Sequence, residues 1–126
     1  MLREILGAKL HTARITETQI DYEGSCAIDQ NLLDLAGIAP YERVHIYNIT
    51  NGNRLDTYAI PARRGSGKVG LNGAAARMGQ KGDRIIVVTY VQVDDSELSK
   101  HTVKIVLLDA KNHPMKTITH KTRKPK

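Results

Sequence analysis

The stretch that decides the fold class is residues 44–60, VHIYNITNGNRLDTYAI. On both sides of Asn51-Gly52, β-branched and aromatic residues alternate with polar ones, a pattern typical of β-strands. Asn-Gly is the dipeptide that best tolerates positive φ at both central positions of a type I′ turn. We therefore predict a hairpin with strands over residues 44–50 and 54–60.

The rest of the chain has similar short apolar runs separated by turn residues, which predicts further strands. A short helix is expected over residues 29–36, because Asp29 is a good N-cap and Gly37 and Pro40 are stop signals. Together these features predict a mainly β barrel in a single domain. The other predicted elements are strands over residues 5–16, 69–71, 84–93 and 102–109, a Gly-rich mobile segment over 64–70 and one helical turn over 73–77.

Composition limits the class of protein. The 126 residues suit one domain that needs neither disulfide nor metal, and Cys26 has no second cysteine to pair with. Without a basic-then-apolar leader, we expect a protein of the reducing cytoplasm. The longest apolar runs are far shorter than the ~20 residues that cross a bilayer, so no membrane span is predicted.

The basic excess has a local origin. The chain has 19 Lys and Arg against 13 Asp and Glu, a balance often seen in nucleic-acid binders. However, five of the basic residues lie within residues 116–126, which hold no acid and are predicted to form a flexible basic tail. Aromatic residues for base stacking make up only 4% of the chain, so nucleic acid is not the predicted partner.

Two other patterns resemble functional sites. Gly65-Ser66-Gly67-Lys68 suggests a phosphate loop, but the pattern requires glycine where Ala62 stands and Ser or Thr where Val69 stands. A flexible turn is therefore the better interpretation. No metal site is predicted, because the five histidines are scattered at positions 11, 45, 101, 113 and 120.

A cysteine nucleophile is a further alternative. Cys26 served by His11 would suit a cysteine hydrolase. A lone small buried thiol is the commoner role of such a residue, and it is the preferred interpretation here.

The Gly24-Ser25 bond is the most informative feature. Glycine permits strained backbone geometry, and the serine hydroxyl can attack the carbonyl group that precedes it. The octet Tyr22–Asp29, YEGSCAID, resembles the self-cleavage site of the bacterial aspartate 1-decarboxylases, and the resemblance extends over about residues 1–93. The other matching motifs are Lys9-Leu10-His11, Thr50-Asn51-Gly52, Arg54 with Thr57-Tyr58-Ala59-Ile60, Arg64-Gly65-Ser66 and Asn72-Gly73-Ala74-Ala75-Ala76.

This resemblance implies an inactive proenzyme that cleaves itself into residues 1–24 (β chain) and 25–126 (α chain). Ser25 becomes a covalently bound pyruvoyl group, so neither pyridoxal phosphate nor a metal is expected. The pyruvoyl group forms a Schiff base with L-aspartate, which loses CO2 to give β-alanine for pantothenate and coenzyme A synthesis. Gly24 supplies the carbonyl group that is cleaved, and Tyr58 is the implied proton donor.

The resemblance also implies a substrate site with cations for the two carboxylates of aspartate. Arg54 is the implied clamp and Lys9 a second cation. The other implied substrate-binding residues are Thr57, Asn72, Gly73, Ala74 and Ala75, with His11, Tyr22 and Tyr47 as supporting residues around them.

The family's fold is a double-psi β-barrel, and its members are homotetramers with active sites between neighbouring subunits. An acetyltransferase-like maturation factor promotes cleavage in some bacteria. Two positions depart from the common family pattern. Tyr47 stands where tryptophan is common, and Arg63 stands where many relatives carry an acid.

Overall fold

Nine strands, one α-helix and two short 3₁₀ helices make up the chain, and the computed structural model describes residues 1–126. The 3₁₀ helices span Gly73–Met78 and Asp95–Glu97. The remaining elements are β1 (Leu2–Arg14), β2 (Glu17–Gln19), β3 (Ser25–Asp29), α1 (Gln30–Ala36), β4 (Arg43–Asn48), β5 (Arg54–Ala62), β6 (Val69–Asn72), β7 (Arg84–Asp94), β8 (Thr102–Leu108) and β9 (Pro114–Lys121).

The strands form one sheet in the order β2-β6-β3-β5-β4-β7-β1-β8-β9. Since β2 follows β1 directly in the chain, the run from β2 to β1 is joined at its two ends and closes on itself. Across this junction the Thr16 amide donates a hydrogen bond to the Val69 carbonyl at 2.8 Å. Strands β8 and β9 extend the sheet outward from β1. The predicted fold class, a mainly β barrel with short helices in one domain, is confirmed.

Aliphatic side chains fill the barrel, as expected for a chain without Phe or Trp. Leu10, Ile28, Ile46 and Ile85 are completely buried in the core. Helix α1 packs Leu32, Leu33 and Ala36 against it. No helix has the length and apolar composition that a membrane crossing needs.

Both predicted ends of α1 are confirmed. The Asp29 carboxylate accepts a hydrogen bond from the Asn31 amide at 2.9 Å, and Gly37 ends the helix in the left-handed conformation. The same carboxylate accepts hydrogen bonds from the amides of Gly65 and Gly67, at 3.1 and 3.0 Å. The Gly-rich segment that was expected to be mobile is therefore tied to the start of α1.

The hairpin is confirmed, but its turn differs from the prediction. Strands β4 and β5 pair with Tyr47 opposite Arg54, so residues 49–53 connect them. Gly52 has positive φ, whereas Asn51 does not, which excludes a type I′ turn. The reason is the Asn48 side chain, whose Oδ1 accepts the amides of Thr50 and Asn51 at 2.9 and 3.1 Å and holds a wider loop.

The prediction of a flexible tail over residues 116–126 is corrected for residues 116–121. These residues belong to β9, which pairs antiparallel with β8, and Ile105 lies opposite Ile118. Within residues 116–126, only residues 122–126 have no regular structure. The alternating polar residues therefore mark an exposed edge strand.

Candidate active site

Ser25 is the first residue of β3 and is 1% exposed, while the four residues before it are exposed. The antiparallel ladder between β3 and β6 places Asn72 directly opposite. The Asn72 amide Nδ2 donates a hydrogen bond to Ser25 Oγ at 3.0 Å, and Oγ donates a longer one to the Glu23 carbonyl at 3.4 Å. The hydroxyl group is therefore held beside the peptide bond that it would attack.

Gly73 packs against the backbone of Gly24. Its φ is +64°, and a Cβ atom there would lie 2.6 Å from Gly24 Cα, 2.7 Å from Gly24 N and 2.9 Å from the Tyr22 carbonyl oxygen. All three are backbone atoms, which cannot swing away as a side chain can. Gly24, Ser25, Asn72 and Gly73 thus form one tightly packed unit, which we call the Ser25 corner.

Ala74 and Ala75 continue from this corner in the 3₁₀ helix Gly73–Met78. Ala74 is exposed, whereas Ala75 is buried in the core. Only Ala74 therefore presents its side chain to solvent in the isolated chain.

Tyr58 lies on β5 at the level of Ser25. Strands β3 and β5 are parallel with Cys26 opposite Ala59, so Tyr58 and Ser25 each precede this pair by one residue. The half-buried Tyr58 ring stacks on Tyr41, with ring centroids 6.0 Å apart. The topology thus brings the predicted proton donor and the predicted nucleophile onto neighbouring strands.

Arg54 belongs to a different cluster on the outer face of the barrel. Its guanidinium carbon lies 4.2 Å from the centroid of the Tyr47 ring, a cation–π contact. The Tyr47 hydroxyl shares a 2.8 Å hydrogen bond with the Tyr90 hydroxyl, and the His45 ring meets the Tyr90 ring edge-on at 5.2 Å. We call these four residues the Arg54 face.

Lys9 and His11 are half-buried on β1, two residues apart and so on the same side of the strand. Burial lowers the pKa of His11, and the charge of Lys9 lowers it further. His11 Nδ1 is buried and has no hydrogen-bond partner in the chain. The pair thus places a cation and a neutral imidazole side by side.

The predicted site residues therefore fall into separate groups. Ser25, Gly24, Asn72 and Gly73 are in contact, with the Tyr22 backbone close by. No hydrogen bond or ion pair connects Arg54 or Lys9 to the Ser25 corner.

Tyr90 is a member of the Arg54 face that no sequence motif indicates. Period-2 alternation in the predicted strand over residues 84–93 was sufficient to place it on the same face as Val88. Nothing local indicated its hydrogen bond with Tyr47, 43 positions away.

A cleft of about 550 Å³ adjoins the Ser25 corner through Asn72 and Tyr22. Arg63 and Lys68 also line it, and Lys68 is paired with Glu17 at 3.0 Å. Arg63 is therefore the one cation of the cleft without an ion-pair partner.

Cys26 does not suit a nucleophile. It is completely buried, and burial raises the pKa of its thiol to about 12. A neutral, inaccessible thiol is a poor nucleophile, which argues against the cysteine hydrolase alternative. No cluster of three or more His, Cys, Asp or Glu side chains suitable for a metal is found.

A small barrel with a restrained Gly-Ser bond beside a cleft has the features of an enzyme that acts on a small molecule. Comparison with known proteins identifies the family of this enzyme. The family model described as aspartate decarboxylase matches residues 1–115, well past the last motif recognised in the sequence. The chain belongs to the aspartate decarboxylase family.

Curated relatives support this assignment over most of their length. The chain is 52% identical to the aspartate 1-decarboxylase of Syntrophobacter fumaroxidans over 91% of the chain and 93% of the relative. It is 50% identical to that of Psychromonas ingrahamii, over 93% of each chain. It is 46% identical to that of Leptospira biflexa, over 92% of the chain and 99% of the relative.

Proposed function

We propose that this protein converts L-aspartate to β-alanine and CO2, the reaction that supplies β-alanine for pantothenate and coenzyme A. Family membership supports the reaction type. The observation that carries the proposal is the Ser25 corner, where a buried serine hydroxyl is held by Asn72 next to the Gly24-Ser25 bond.

Maturation begins with attack of Ser25 Oγ on the Gly24 carbonyl carbon. The C–N bond breaks as the ester bond forms, and the amino group of residue 25 is released. Elimination then leaves a carboxylate on Gly24 and dehydroalanine at position 25. Water replaces the nitrogen of dehydroalanine, ammonia leaves, and residue 25 becomes a pyruvoyl group. The hydrogen bond from Asn72 restrains the Oγ atom, which has to act first as nucleophile and then as leaving group.

The surroundings of residue 25 fit such a group. It is buried, so bulk water is excluded, and the Asn72 amide points at its side chain. A pyruvoyl group supplies an electron-withdrawing carbonyl that accepts the electrons of the bond to CO2. Asn72 Nδ2 is the donor placed to hold it.

The chain's own residues bind the substrate and provide the proton. The Arg54 guanidinium forks onto one carboxylate of aspartate, and Lys9 provides a second cation. Tyr58 provides the proton from its phenol hydroxyl group. Thr57, Asn72 and the backbone of Gly73, Ala74 and Ala75 line the bound substrate, while His11, Tyr22 and Tyr47 support these groups.

The functional unit of this proposal is a homotetramer of cleaved chains, residues 1–24 and 25–126, in the cytoplasm. Separation of Lys9 and Arg54 from the Ser25 corner within one chain supports a site completed between neighbouring subunits. An acetyltransferase-like protein is the candidate helper for cleavage.

Intact mass spectrometry of the purified protein tests the proposal. The two expected fragments together weigh one water more and one ammonia less than the uncleaved chain, whereas simple hydrolysis adds one water and loses nothing. Incubation with L-aspartate should then yield β-alanine. A chain that stays whole after prolonged warming, even with the maturation factor, contradicts the proposal.

Two variants separate cleavage from turnover. Ser25→Ala removes the nucleophile and should remain a single chain. Tyr58→Phe keeps the ring but removes the acidic proton, so it should cleave normally and release little β-alanine. Undiminished β-alanine formation by Tyr58→Phe would remove this residue as proton donor.

A further inference from the structure

We propose that Tyr90 is a positioning residue for substrate binding: its hydroxyl fixes Tyr47, and the Tyr47 ring holds the Arg54 guanidinium in place for a carboxylate. This inference rests on the proposed function, because it assigns to Arg54 the binding of aspartate. It adds a residue to which no motif of the sequence drew attention.

The sheet explains how Tyr90 reaches this cluster. Strand β4 lies between β5 and β7, and Tyr47 pairs with Arg54 on one side and Ile86 on the other. Tyr90 is four residues beyond Ile86 on β7, so only a long side chain directed along the sheet reaches Tyr47. Its ring lies edge-on against His45 and brings the two hydroxyl groups to 2.8 Å.

The Tyr90 hydroxyl restrains side chains that are half-buried or exposed in the single chain. Arg54 is exposed and forms no ion pair, so the Tyr47 ring is its only specific contact. A free arginine has many rotamers, and ordering it upon binding weakens affinity. Restraining the ring beneath it thus prepares the guanidinium before substrate arrives.

A neighbouring arginine shows the contrast. Arg43, also exposed on this hairpin, is paired with Asp56 through contacts of 2.6 and 2.8 Å. Its charge is already neutralised by a carboxylate of the chain. Arg54 is instead oriented by an uncharged ring, which leaves its donors available for a carboxylate of the ligand.

The ionisation of Tyr90 is consistent with a single coupled cluster. The hydrogen bond with Tyr47 is the largest cause of a raised pKa at Tyr90, and the charge of Arg54 acts in the opposite direction. Both Tyr47 and Arg54 therefore influence the pKa of Tyr90.

A double-mutant cycle with Tyr47→Phe and Tyr90→Phe tests the inference, since each change removes one hydroxyl and keeps the ring. Each single variant should cleave fully and raise the KM for aspartate about fivefold, with kcat changed less than about twofold, as expected for the loss of one hydrogen bond. The double variant should show the same KM as either single one. An unchanged KM in Tyr90→Phe, or effects that multiply in the double variant, overturns the inference.

Succinate provides a second measurement, because it has two carboxylates but no amino group. Its inhibition constant should rise by the same factor as KM in each variant. Equal inhibition of the native protein and Tyr90→Phe would overturn the role in carboxylate binding. So would a KM change accompanied by a fall of several degrees in Tm, because that result indicates a general structural defect. If the native protein makes no β-alanine, the proposed function is wrong. If the native protein is active and the variants bind aspartate and succinate as it does, only the role of Tyr90 is wrong.

Discussion

The Ser25 corner and the Arg54 face are built in opposite ways. In the corner, Ser25 and Asn72 are almost completely buried, and a hydrogen bond joins their two neutral side chains. On the face, long side chains stack and hydrogen bond in the open, around an exposed cation. The proposed function accounts for this difference. Cleavage happens once in each chain and benefits from a fixed geometry, whereas substrate has to bind and leave at every turnover.

Gly73→Ala is expected to have the largest effect, because it breaks the close packing of the corner. The new Cβ would overlap the backbone of Gly24 and Tyr22 at a residue with positive φ. We expect no detectable cleavage and a loss of about 2 kcal/mol in the free energy of unfolding. Intact mass spectrometry and denaturant unfolding provide the two measurements.

Gly82→Ala is the matched control. Its φ is +93°, but nothing lies within 4 Å of the added Cβ. It should lose about 1 kcal/mol through the backbone alone and cleave at the native rate. Normal cleavage of Gly73→Ala would show that the corner is not tightly packed during maturation.

Arg54→Ala tests the opposite region. The variant should cleave completely, since Arg54 does not contact the corner, but its KM for aspartate should rise about 100-fold through loss of a forked, charge-assisted contact. Arg54→Lys keeps the charge without the fork and should raise KM about tenfold. Arg43→Ala, which removes the neighbouring paired arginine, is the control and should change KM less than about twofold. An Arg54→Ala protein that fails to cleave would show that the two regions are coupled.

Asn72→Ala should produce a smaller defect, in cleavage. Losing the hydrogen bond to Ser25 Oγ frees the hydroxyl group and slows cleavage about tenfold. The rate is measured from the fraction of intact chain against time. Asn31→Ala, on the exposed side of α1, removes an amide elsewhere and should leave the rate unchanged. Equal rates in both variants would exclude the role proposed for Asn72.

The smallest expected effect is a change in tyrosine ionisation on the Arg54 face. Tyr90 should ionise above its ordinary pKa of 10.0, chiefly because of its hydrogen bond with Tyr47, and Tyr47→Phe should return it toward that value. A raised pKa means that the stabilising contribution is complete below the ordinary pKa and is lost as pH rises through the folded value. Ultraviolet absorbance against pH measures this. Tyr47→Phe also removes one of the five tyrosines that give the signal. A curve that loses only the amplitude of that tyrosine, with an unchanged midpoint for the rest, would contradict the contact.

Local patterns predicted the strands better than the turns and edges. Alternation around Asn51-Gly52 was sufficient for the hairpin, but the turn depends on the Asn48 side chain, which lies outside the dipeptide. The segment over residues 116–121 lacks an apolar face because it is exposed, so only its partner β8 makes it a strand. The Gly-rich loop looked mobile because the carboxylate that holds it, Asp29, is far away in sequence.

The same limit applies to the candidate site. Resemblance to a family indicated Gly24, Ser25 and Asn72, and the β3–β6 register then brings them together. That Gly73 has to be glycine because Gly24 lies against it is a three-dimensional fact. Tyr90 also depends on contacts across strands, and so it was not identified from the sequence.

The outermost strand, β9, also affects how separate molecules behave toward one another. It pairs only with β8, so one side of its backbone is free to hydrogen bond with a strand of another molecule. Two lysines of this strand, Lys116 and Lys121, oppose such pairing by charge repulsion. Because residues 1–115 carry nearly equal numbers of acidic and basic groups, the terminal segment provides most of the repulsion between copies. The basic excess of this chain thus protects a bare sheet edge against aggregation.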